Sequence, residues 1–215
     1  IMGVENGLVV LTKCDLVTDI QIDNVTRTIK KSLSDTTLAG AKVVPVSTVT
    51  GLGIEELRAE IAALCRTLRP RSTKGYFRMT IDRAFQVHGA GLVVTGTVAA
   101  GAVSTGDRLK LTPSGQEVRV RTIHAQNEVS YRGTVGQRLG LNITGVKLNV
   151  SGAERGNWLV SPPLHAPTNC LDTEVRLLGT ETKALKAWTK VHLHIGTAQL
   201  MARLGLINES GLEPG

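Results

Sequence analysis

A period of two in the pattern of apolar residues constrains the fold of this chain more than any other feature, and it dominates residues 77–145. Apolar and polar side chains alternate from Phe77 to Asp82, as in a strand with one buried face. Similar short runs follow, separated by turn sequences such as Gly106-Asp107 and Thr112–Gly115. Many short strands joined by tight turns are typical of a small antiparallel β-barrel.

The strands of this barrel are expected near 77–82, 91–99, 107–112, 116–125, 137–144 and 157–161. Glycines recur closely between Gly89 and Gly106, where bends and bulges would let a small barrel turn its corners. Only 3% of the residues are aromatic, so the core must be built mainly from Val, Leu, Ile and Ala. We expect Trp158, in the last of these strands, to pack in that core.

An α/β pattern precedes the barrel. Two apolar runs, Leu8–Leu11 and Val43–Val46, have the continuous hydrophobicity of fully buried parallel strands. Each is followed by a polar loop and then by apolar residues at helical spacing. Ligands of parallel sheets bind at the carboxyl ends of the strands, so the loops Thr12–Asp15 and Ser47–Gly51 are candidate ligand-binding loops.

Five segments of the barrel carry a family resemblance, namely Asp82–Phe85, Gly89–Gly91, Val94–Thr97, His124–Asn127 and Gly136–Arg138. They resemble the second domain of translational GTPases, and within that group most of all the bacterial selenocysteine-specific elongation factors. The implied fold class is α/β, as the C-terminal part of a P-loop GTPase domain, followed by an all-β translation-factor barrel and a partial second β-barrel.

The resemblance extends along nearly the whole chain and divides it into the end of the GTPase domain at 1–70, a linker at 71–76, the second-domain barrel at 77–164 and part of a third-domain barrel at 165–215. In the last part, alternation predicts strands at Leu171–Leu177 and at Lys190–Ile195. Too few strands follow to close a barrel, so we expect an open-edged or poorly ordered segment. The ends, Ile1–Val4 and Glu213–Gly215, suggest an internal fragment of a longer protein.

The two loops of the α/β part stand in place of the family's guanine-binding motifs, Asn-Lys-x-Asp and Ser-Ala-x-x-Gly. Guanine presents two adjacent N–H donors, which one carboxylate can accept in a bidentate pair. The expected guanine-binding residues are Thr12, Lys13, Asp15, Ser47 and Thr48. Asp15 would accept both donors, the Lys13 stem would lie over the base, and the Ser47 loop would offer a backbone N–H to the O6 atom. Thr12 replaces the family's Asn, which leaves the affinity for nucleotide open.

Neither a Gly-x-x-x-x-Gly-Lys-[Ser/Thr] phosphate loop nor an Asp-x-x-Gly switch occurs in the sequence. The resemblance implies GTP or GDP as the ligand, with the phosphates and Mg²⁺ held by other parts of a longer protein. No catalytic residue is predicted, and we expect this chain alone not to hydrolyse GTP.

In this family the barrel binds the aminoacylated end of transfer RNA, and the resemblance implies that Asp82, Arg83 and Arg138 line the aminoacyl pocket. His88, in the loop after Phe85, is a further candidate. A selenol is more acidic than a thiol, whose pKa is about 8.5, so selenocysteine is largely an anion at neutral pH whereas serine is neutral. Two guanidiniums would select the anion. The structural alternative is a contact between Asp82 and Arg83, with Arg138 simply on the surface.

Charge and cysteine content agree with this interpretation. A net charge of +7 and a pI of about 9.6 suit an anionic partner such as RNA, although an ordinary basic protein would have them too. Cys14, Cys65 and Cys170 are far apart in sequence, and His192 and His194 have no third ligand, so no disulfide or metal site is predicted. No apolar run reaches the ~20 residues that span a bilayer, so we expect a cytoplasmic protein without membrane contact.

The resemblance implies a GTP-dependent elongation factor that binds selenocysteinyl-tRNA and delivers it to the ribosome at UGA codons, acting as a monomer. The messenger RNA hairpin would be bound only through domains outside this chain. Two alternatives stay open: another translational GTPase, of the general elongation or initiation type, and a non-catalytic RNA-binding β-barrel protein. The last predicts salt-sensitive RNA binding without preference for the esterified amino acid.

Overall fold

The computed structural model describes residues 4, 6–68, 71–89, 91–145, 152–207 and 211–214. Its internal contacts divide the chain into two compact units, with the boundary between Pro70 and Arg71. The second unit comprises Arg71–Arg176 and Lys183–Glu213, and the first is formed mainly by the residues that precede it.

The first unit alternates strand and helix, with β1 at Leu8–Leu11, a 3-10 turn at Cys14–Leu16, α1 at Asp19–Leu33, β2 at Lys42–Pro45 and α2 at Ile54–Thr67. The two strands pair in parallel, as the apolar runs predicted. They are less buried than expected: Val44 is fully buried but Val10 is 38% exposed, because the sheet has only these two strands in the described part of the chain. Helix α1 begins at a capping box in which the Gln21 side chain accepts the amide proton of Thr18, at 2.9 Å.

An ionic contact ties β2 to α2. The ammonium group of Lys42 lies 2.8 Å from a carboxylate oxygen of Glu56 and 2.8 Å from one of Glu60. Hydrogen bonds to these two carboxylates raise the pKa of Lys42. The contact fixes the start of β2, whose other end leads into the Ser47 loop.

The second unit contains a closed barrel. Its strands and their short companions are β3 Arg78–Val87, β4 Gly91–Ala100, β5 Ala102–Ser104, β6 Arg108–Thr112, β7 Gln116–Ala125, β8 Glu128–Ser130, β9 Arg132–Thr134, β10 Arg138–Thr144 and β11 Trp158–Val160. Around the barrel the order is β10-β4-β3-β11-β6-β7, and β10 pairs with β7 to complete the ring. β8 extends the sheet beyond β7, and β5 pairs separately with β9.

The predicted fold class is confirmed, and the six principal strands lie where the alternation placed them. The core is aliphatic as expected, with Phe77 the one aromatic residue among its buried members. β3 is longer than predicted and runs to Val87, and three-residue strands β5, β8 and β9 were not predicted. Trp158 is half-buried and lies outside the core, because its indole faces outward toward Gly196.

Beyond the barrel, a 3-10 turn at Pro162–Leu164 leads to four strands, β12 Leu185–Lys186, β13 Thr189–Ile195, β14 Ala198–Leu204 and β15 Gly211–Leu212. β13 and β14 form a hairpin, and β12 pairs with β15, so each of these sheets has two strands within the described ranges. The strand expected at Lys190–Ile195 is therefore present. The one expected at Leu171–Leu177 is wrong, because that segment pairs with no strand in the described part of the chain.

Candidate functional site

Three polar side chains from three neighbouring strands meet on the outer face of the barrel. The carboxylate oxygen Oδ1 of Asp82, on β3, accepts hydrogen bonds from Thr95 Oγ1 on β4 at 2.6 Å and from Arg138 Nη2 on β10 at 2.9 Å. Arg138 Nη2 also lies 3.2 Å from Thr95 Oγ1. The Arg138 side chain is 56% exposed and that of Asp82 is 26% exposed. A pair this exposed contributes only about 0–1 kcal/mol to stability, so its main effect is to orient the guanidinium.

A bulge in β3 brings Arg83 to the same face. Ile81 is opposite Gly96 and Arg83 is opposite Thr95, so Asp82 is the extra residue between two regular pairs. Directly opposed residues of antiparallel strands share a face, which places Arg83 beside the Asp82 cluster. Arg83 is exposed and has no ion-pair partner among the described residues. The alternative expectation, a contact between Asp82 and Arg83, is not observed, because Asp82 binds Arg138 instead.

The cluster borders an open cleft of about 650 Å³. Its lining combines apolar and polar groups and includes Phe85, Val93, Thr95, His124, Arg138 and Asn142. Gly140 forms part of the floor, between Thr95 on one side and His124 on the other. A Cβ atom on Gly140 would lie 3.7 Å from His124 Cβ and 3.9 Å from Thr95 Cγ2. The cleft is therefore wide here because the central residue has no side chain.

His88 does not join this group. It lies exposed in the turn that follows β3 and does not line the cleft, whereas the strand residues Phe85 and Val87 before it do. Thr95 and His124 are not among the predicted site residues, although both lie in segments that carry the family resemblance. Their shared signal is alternation: each is a polar residue at an outward position of a strand that borders β10.

In the first unit, backbone hydrogen bonds tie the two predicted guanine-binding loops together. The amide of Val46 donates to the carbonyl of Leu11 at 2.7 Å, and the amide of Cys14 donates to the carbonyl of Val46 at 3.2 Å. Between these bonds Lys13 adopts the left-handed conformation, with φ 61° and ψ 36°. This conformation is uncommon for residues other than glycine and tends to mark functional loops. The side chains of Thr12, Lys13 and Asp15 are all exposed at the tip of the first loop.

Ser47 organises the second loop from inside. It is fully buried, and its Oγ accepts the amide protons of Val49 and Thr50, each at 3.2 Å. Its own amide donates to the carbonyl of Leu52 at 2.9 Å. The amide of Thr48 has no acceptor among the described residues, so it is the group of this loop that remains available to a ligand.

No group of three or more His, Cys, Asp or Glu side chains in the described ranges is arranged to hold a metal ion. His192 and His194 lie on one face of β13, opposite Met201 and Gln199 of β14. None of the helices described by the structure is long and apolar enough to cross a bilayer.

The hydrogen bond between Thr95 and Asp82 is tested by Thr95→Val, which removes the hydroxyl group and keeps the volume. We expect the free energy of unfolding to fall by about 1 kcal/mol, as for a typical intramolecular hydrogen bond. Thr97→Val is the matched control, because Thr97 is the next outward residue of β4 and is exposed. Urea denaturation measures both variants, and equal stability of the two would contradict the assigned contact.

Comparison with known proteins places this geometry in a family. No family model matches the sequence. The chain is 36% identical over 215 residues, all of its length and 34% of the relative's, to the selenocysteine-specific elongation factor of Desulfomicrobium baculatum. It is 36% identical over 202 residues to the factor of the same name from Escherichia coli K12, covering 94% of this chain and 32% of that protein.

Two solved structures agree with these relatives. The apo form of translation elongation factor SelB from Methanococcus maripaludis superposes with a TM-score of 0.74 and 30% identity, covering 91% of this chain and 43% of that chain. The same factor in complex with the GTP analogue GppNHp gives a TM-score of 0.71, with 28% identity and coverage of 90% and 43%. The chain spans about a third of the length of the curated relatives that it matches, 34% and 32% for the two bacterial factors. By homology along its whole length, the chain belongs to the family of selenocysteine-specific elongation factors.

Proposed function

We propose that this chain supplies the guanine-reading loops and the amino-acid-reading barrel of a GTP-dependent factor that binds selenocysteinyl-tRNA and delivers it to the ribosome at UGA codons. The observation that carries the proposal is the Arg138 guanidinium, held by Asp82 and Thr95 at the edge of an open cleft. A fixed but exposed cation is suited to bind an anionic group that enters from solvent.

The selenocysteine side chain provides such a group. A selenol is more acidic than a thiol, whose pKa is about 8.5, so it is largely ionised at neutral pH. A guanidinium is always charged and has five N–H donors, of which the contact with Asp82 uses one. The remaining donors of Arg138 would face the selenolate. Arg83 is not among the residues that line the cleft, but it is opposite Thr95 and has no ion-pair partner among the described residues, so its guanidinium would approach the anion from the side. The Asp82 carboxylate has a second oxygen that would accept from the α-ammonium group.

Discrimination against serine follows from the same contacts. A seryl side chain is neutral and cannot form a charge-assisted hydrogen bond of the same strength. One charge-assisted contact is worth about 1.5–3 kcal/mol, which corresponds to roughly tenfold to a hundredfold in affinity. Two guanidiniums would therefore give a useful preference for the anionic amino acid.

A cluster of arginines supports an RNA partner. The turn at Thr105–Gly106 is hydrogen-bonded on one side to the carbonyl of Tyr131 and on the other to that of Val120, at 3.0 and 2.8 Å. These bonds bring four exposed arginines from three strands close to one turn, Arg108, Arg119, Arg121 and Arg132.

Two of these arginines, Arg108 and Arg119, are directly opposite each other on β6 and β7. Like charges in this position repel each other. None of the four has an ion-pair partner among the described residues. The nearby carboxylate of Asp107 accepts the amide proton of Ser104 at 2.8 Å. A surface of this kind is suited to phosphate groups of nucleic acid, which would relieve the repulsion.

The first unit would bind the base of GTP or GDP. Asp15 is exposed and can accept both guanine N–H donors, and the Thr48 amide, which has no acceptor in the described part of the chain, can donate to O6. Lys13, between Thr12 and Asp15 in the sequence, has a left-handed backbone. These groups fit guanine, whereas no phosphate loop occurs among the 215 residues. When bound, the nucleotide would supply phosphates, which other parts of the full factor would hold together with Mg²⁺.

Arg138→Ala tests the amino-acid-reading site in a full-length factor that carries these residues. We expect the preference for selenocysteinyl-tRNA over seryl-tRNA to fall by about tenfold or more, because one charge-assisted contact is lost. Affinities are measured by protection of the aminoacyl ester from hydrolysis in the presence of GTP.

Arg119→Ala is the matched control for that experiment, since it removes an exposed arginine of the same barrel away from the cleft. It should weaken binding of both transfer RNAs equally and lower the salt dependence. An unchanged preference in Arg138→Ala would contradict the proposal and favour an RNA-binding barrel that does not read the amino acid.

Asp15→Asn tests the guanine-binding loops in the same full-length factor. The affinity for fluorescent GDP should fall by at least about a hundredfold, because a charge-assisted bidentate pair is lost. Xanthosine diphosphate has a carbonyl where guanine has the 2-amino group, so the new amide should restore its binding. Asp19→Asn, an exposed carboxylate in the first turn of α1, is the control and should bind GDP normally. Equal loss in both variants would refute the assignment.

A further inference from the structure

The position of the Asp82 carboxylate depends on the peptide group that precedes it. Asp82 is the extra residue of the bulge in β3, so no regular ladder pair fixes its backbone. Gly96, opposite Ile81, is required at this point, since a Cβ there would clash with the carbonyl oxygen of Thr80. Because the regular hydrogen-bond ladder does not hold the backbone at the bulge, other contacts must set the orientation of the Ile81–Asp82 peptide.

Those contacts come from Gly156, Asn157 and Thr197, which lie outside β4. The carbonyl oxygen of Ile81 accepts a hydrogen bond from Thr197 Oγ1 at 2.6 Å and another from the amide of Gly156 at 3.1 Å. The Gly156 amide also lies 3.2 Å from Thr197 Oγ1. The amide of Ile81 donates to the carbonyl of Asn157 at 2.8 Å. Thr197 belongs to the turn of the β13–β14 hairpin, 116 residues away in sequence from Ile81.

The turn of the β13–β14 hairpin packs closely against the barrel. Gly196 adopts φ +59°, and a Cβ atom there would lie 2.5 Å from Thr80 Cγ2 and 2.8 Å from Trp158 Cζ2. Gly156 adopts φ +100°, and its Cβ would lie 3.2 Å from the backbone of Ala198. Two glycines thus allow the hairpin to approach until the Thr197 hydroxyl reaches the carbonyl of Ile81. Arg155 Nε adds a longer contact, 3.4 Å from the carbonyl of Thr197.

We propose that Thr197 is a positioning residue for the amino-acid-reading cleft. Its hydroxyl group holds the carbonyl of Ile81, the following residue carries the carboxylate that orients Arg138, and the hairpin thereby sets the direction of the guanidinium. The inference rests on the proposed function for its biological meaning, because Arg138 matters only if it reads the amino acid. The physical link, from Thr197 through Ile81 and Asp82 to Arg138, is a property of this chain without any ligand.

One consequence is that the cleft is fully formed only when the β13–β14 hairpin packs against the barrel. A displacement of the β13–β14 turn would release one of the two hydrogen bonds to the Ile81 carbonyl and allow the bulge to relax. The Asp82–Arg138 pair would then be populated for a smaller fraction of the time.

The test compares three variants of the 215-residue chain by NMR of the Arg138 side chain. Thr197→Val replaces the hydroxyl with a methyl group of similar size, and Thr197→Ser restores a hydroxyl. Thr189→Val is the matched control, because Thr189 lies at the opposite end of the same hairpin and its Oγ1 donates to the carbonyl of Lys186 at 2.7 Å. The readout is the rate of rotation about the Nε–Cζ bond of Arg138, which is slow when Asp82 holds the guanidinium.

We expect the rotation to be about two- to tenfold faster in Thr197→Val, the range set by loss of one neutral hydrogen bond. Thr197→Ser should return it close to the value of the unchanged chain, and Thr189→Val should leave it unaffected. The proposal is overturned if Thr197→Val rotates like the unchanged chain, or if Thr189→Val accelerates rotation equally, since that would indicate a general loosening of the hairpin. Amide resonances of β13 and β14 report whether the hairpin stays folded, and if Thr197→Val unfolds it, recovery of slow rotation in Thr197→Ser decides.

A second measurement connects this link to amino-acid preference. In a full-length factor, Thr197→Val should reduce the preference for selenocysteinyl-tRNA over seryl-tRNA while leaving the affinity for seryl-tRNA unchanged. The rotation measurement needs no ligand, so it judges the role of Thr197 even if Arg138→Ala shows that the cleft does not read the amino acid. Faster rotation with an unchanged preference in both variants would overturn the proposed function and leave the positioning link in place.

Discussion

The hydrogen bonds that join β10 to both β4 and β7 close the barrel, and the cleft exists because of this closure. They bring the outward residues of β4, β10 and β7 into one continuous surface. Gly140 lies at its centre and leaves room that any larger residue would fill. Arg138, at the start of β10, lies where this surface borders the bulge of β3. A single strand thus determines both the space for a ligand and the place of the charge beside it.

The bulge in β3 is the second requirement. Without it, Asp82 and Arg83 would point to opposite faces of the sheet, because successive residues of a regular strand alternate. The extra residue puts the carboxylate under Arg138 and leaves Arg83 beside it, with no ion-pair partner among the residues that the structure describes. One guanidinium is therefore oriented by a carboxylate and the other is free to respond to an anion. The exposed position of the pair explains why it adds little to stability and is suited to recognition.

The sequence was sufficient to predict the β-barrel, its six principal strands and the alternating strand and helix of the first unit, because these depend on hydrophobic periodicity. Strands β5, β8 and β9 are three residues long, too short to show a period. Leu171–Leu177 does alternate, yet it pairs with no described strand, since alternation indicates a possible face and not a partner.

The candidate site was predictable only in part. Asp82, Arg83 and Arg138 were expected from family resemblance, but the contact between Asp82 and Arg138 spans 56 residues and follows from strand register, which the sequence does not specify. The role of Thr95 depends on that same register. Trp158 was expected in the core on account of its size, and it lies half-buried beneath the hairpin turn instead. Long-range contacts of this kind need the three-dimensional structure.

The most direct measurement is an NMR titration of the 215-residue chain, with isotope-labelled arginine side chains, using an adenosine that carries selenocysteine through a stable 3′-amide bond. The same compound carrying serine is the comparison, and both are kept under reducing conditions. The account predicts that the Arg138 and Arg83 side-chain resonances shift with the selenocysteine compound and shift much less with the serine compound. Equal shifts with both compounds, or shifts confined to the arginines near Gly106, would contradict the claim that this cleft reads the charge of the amino acid.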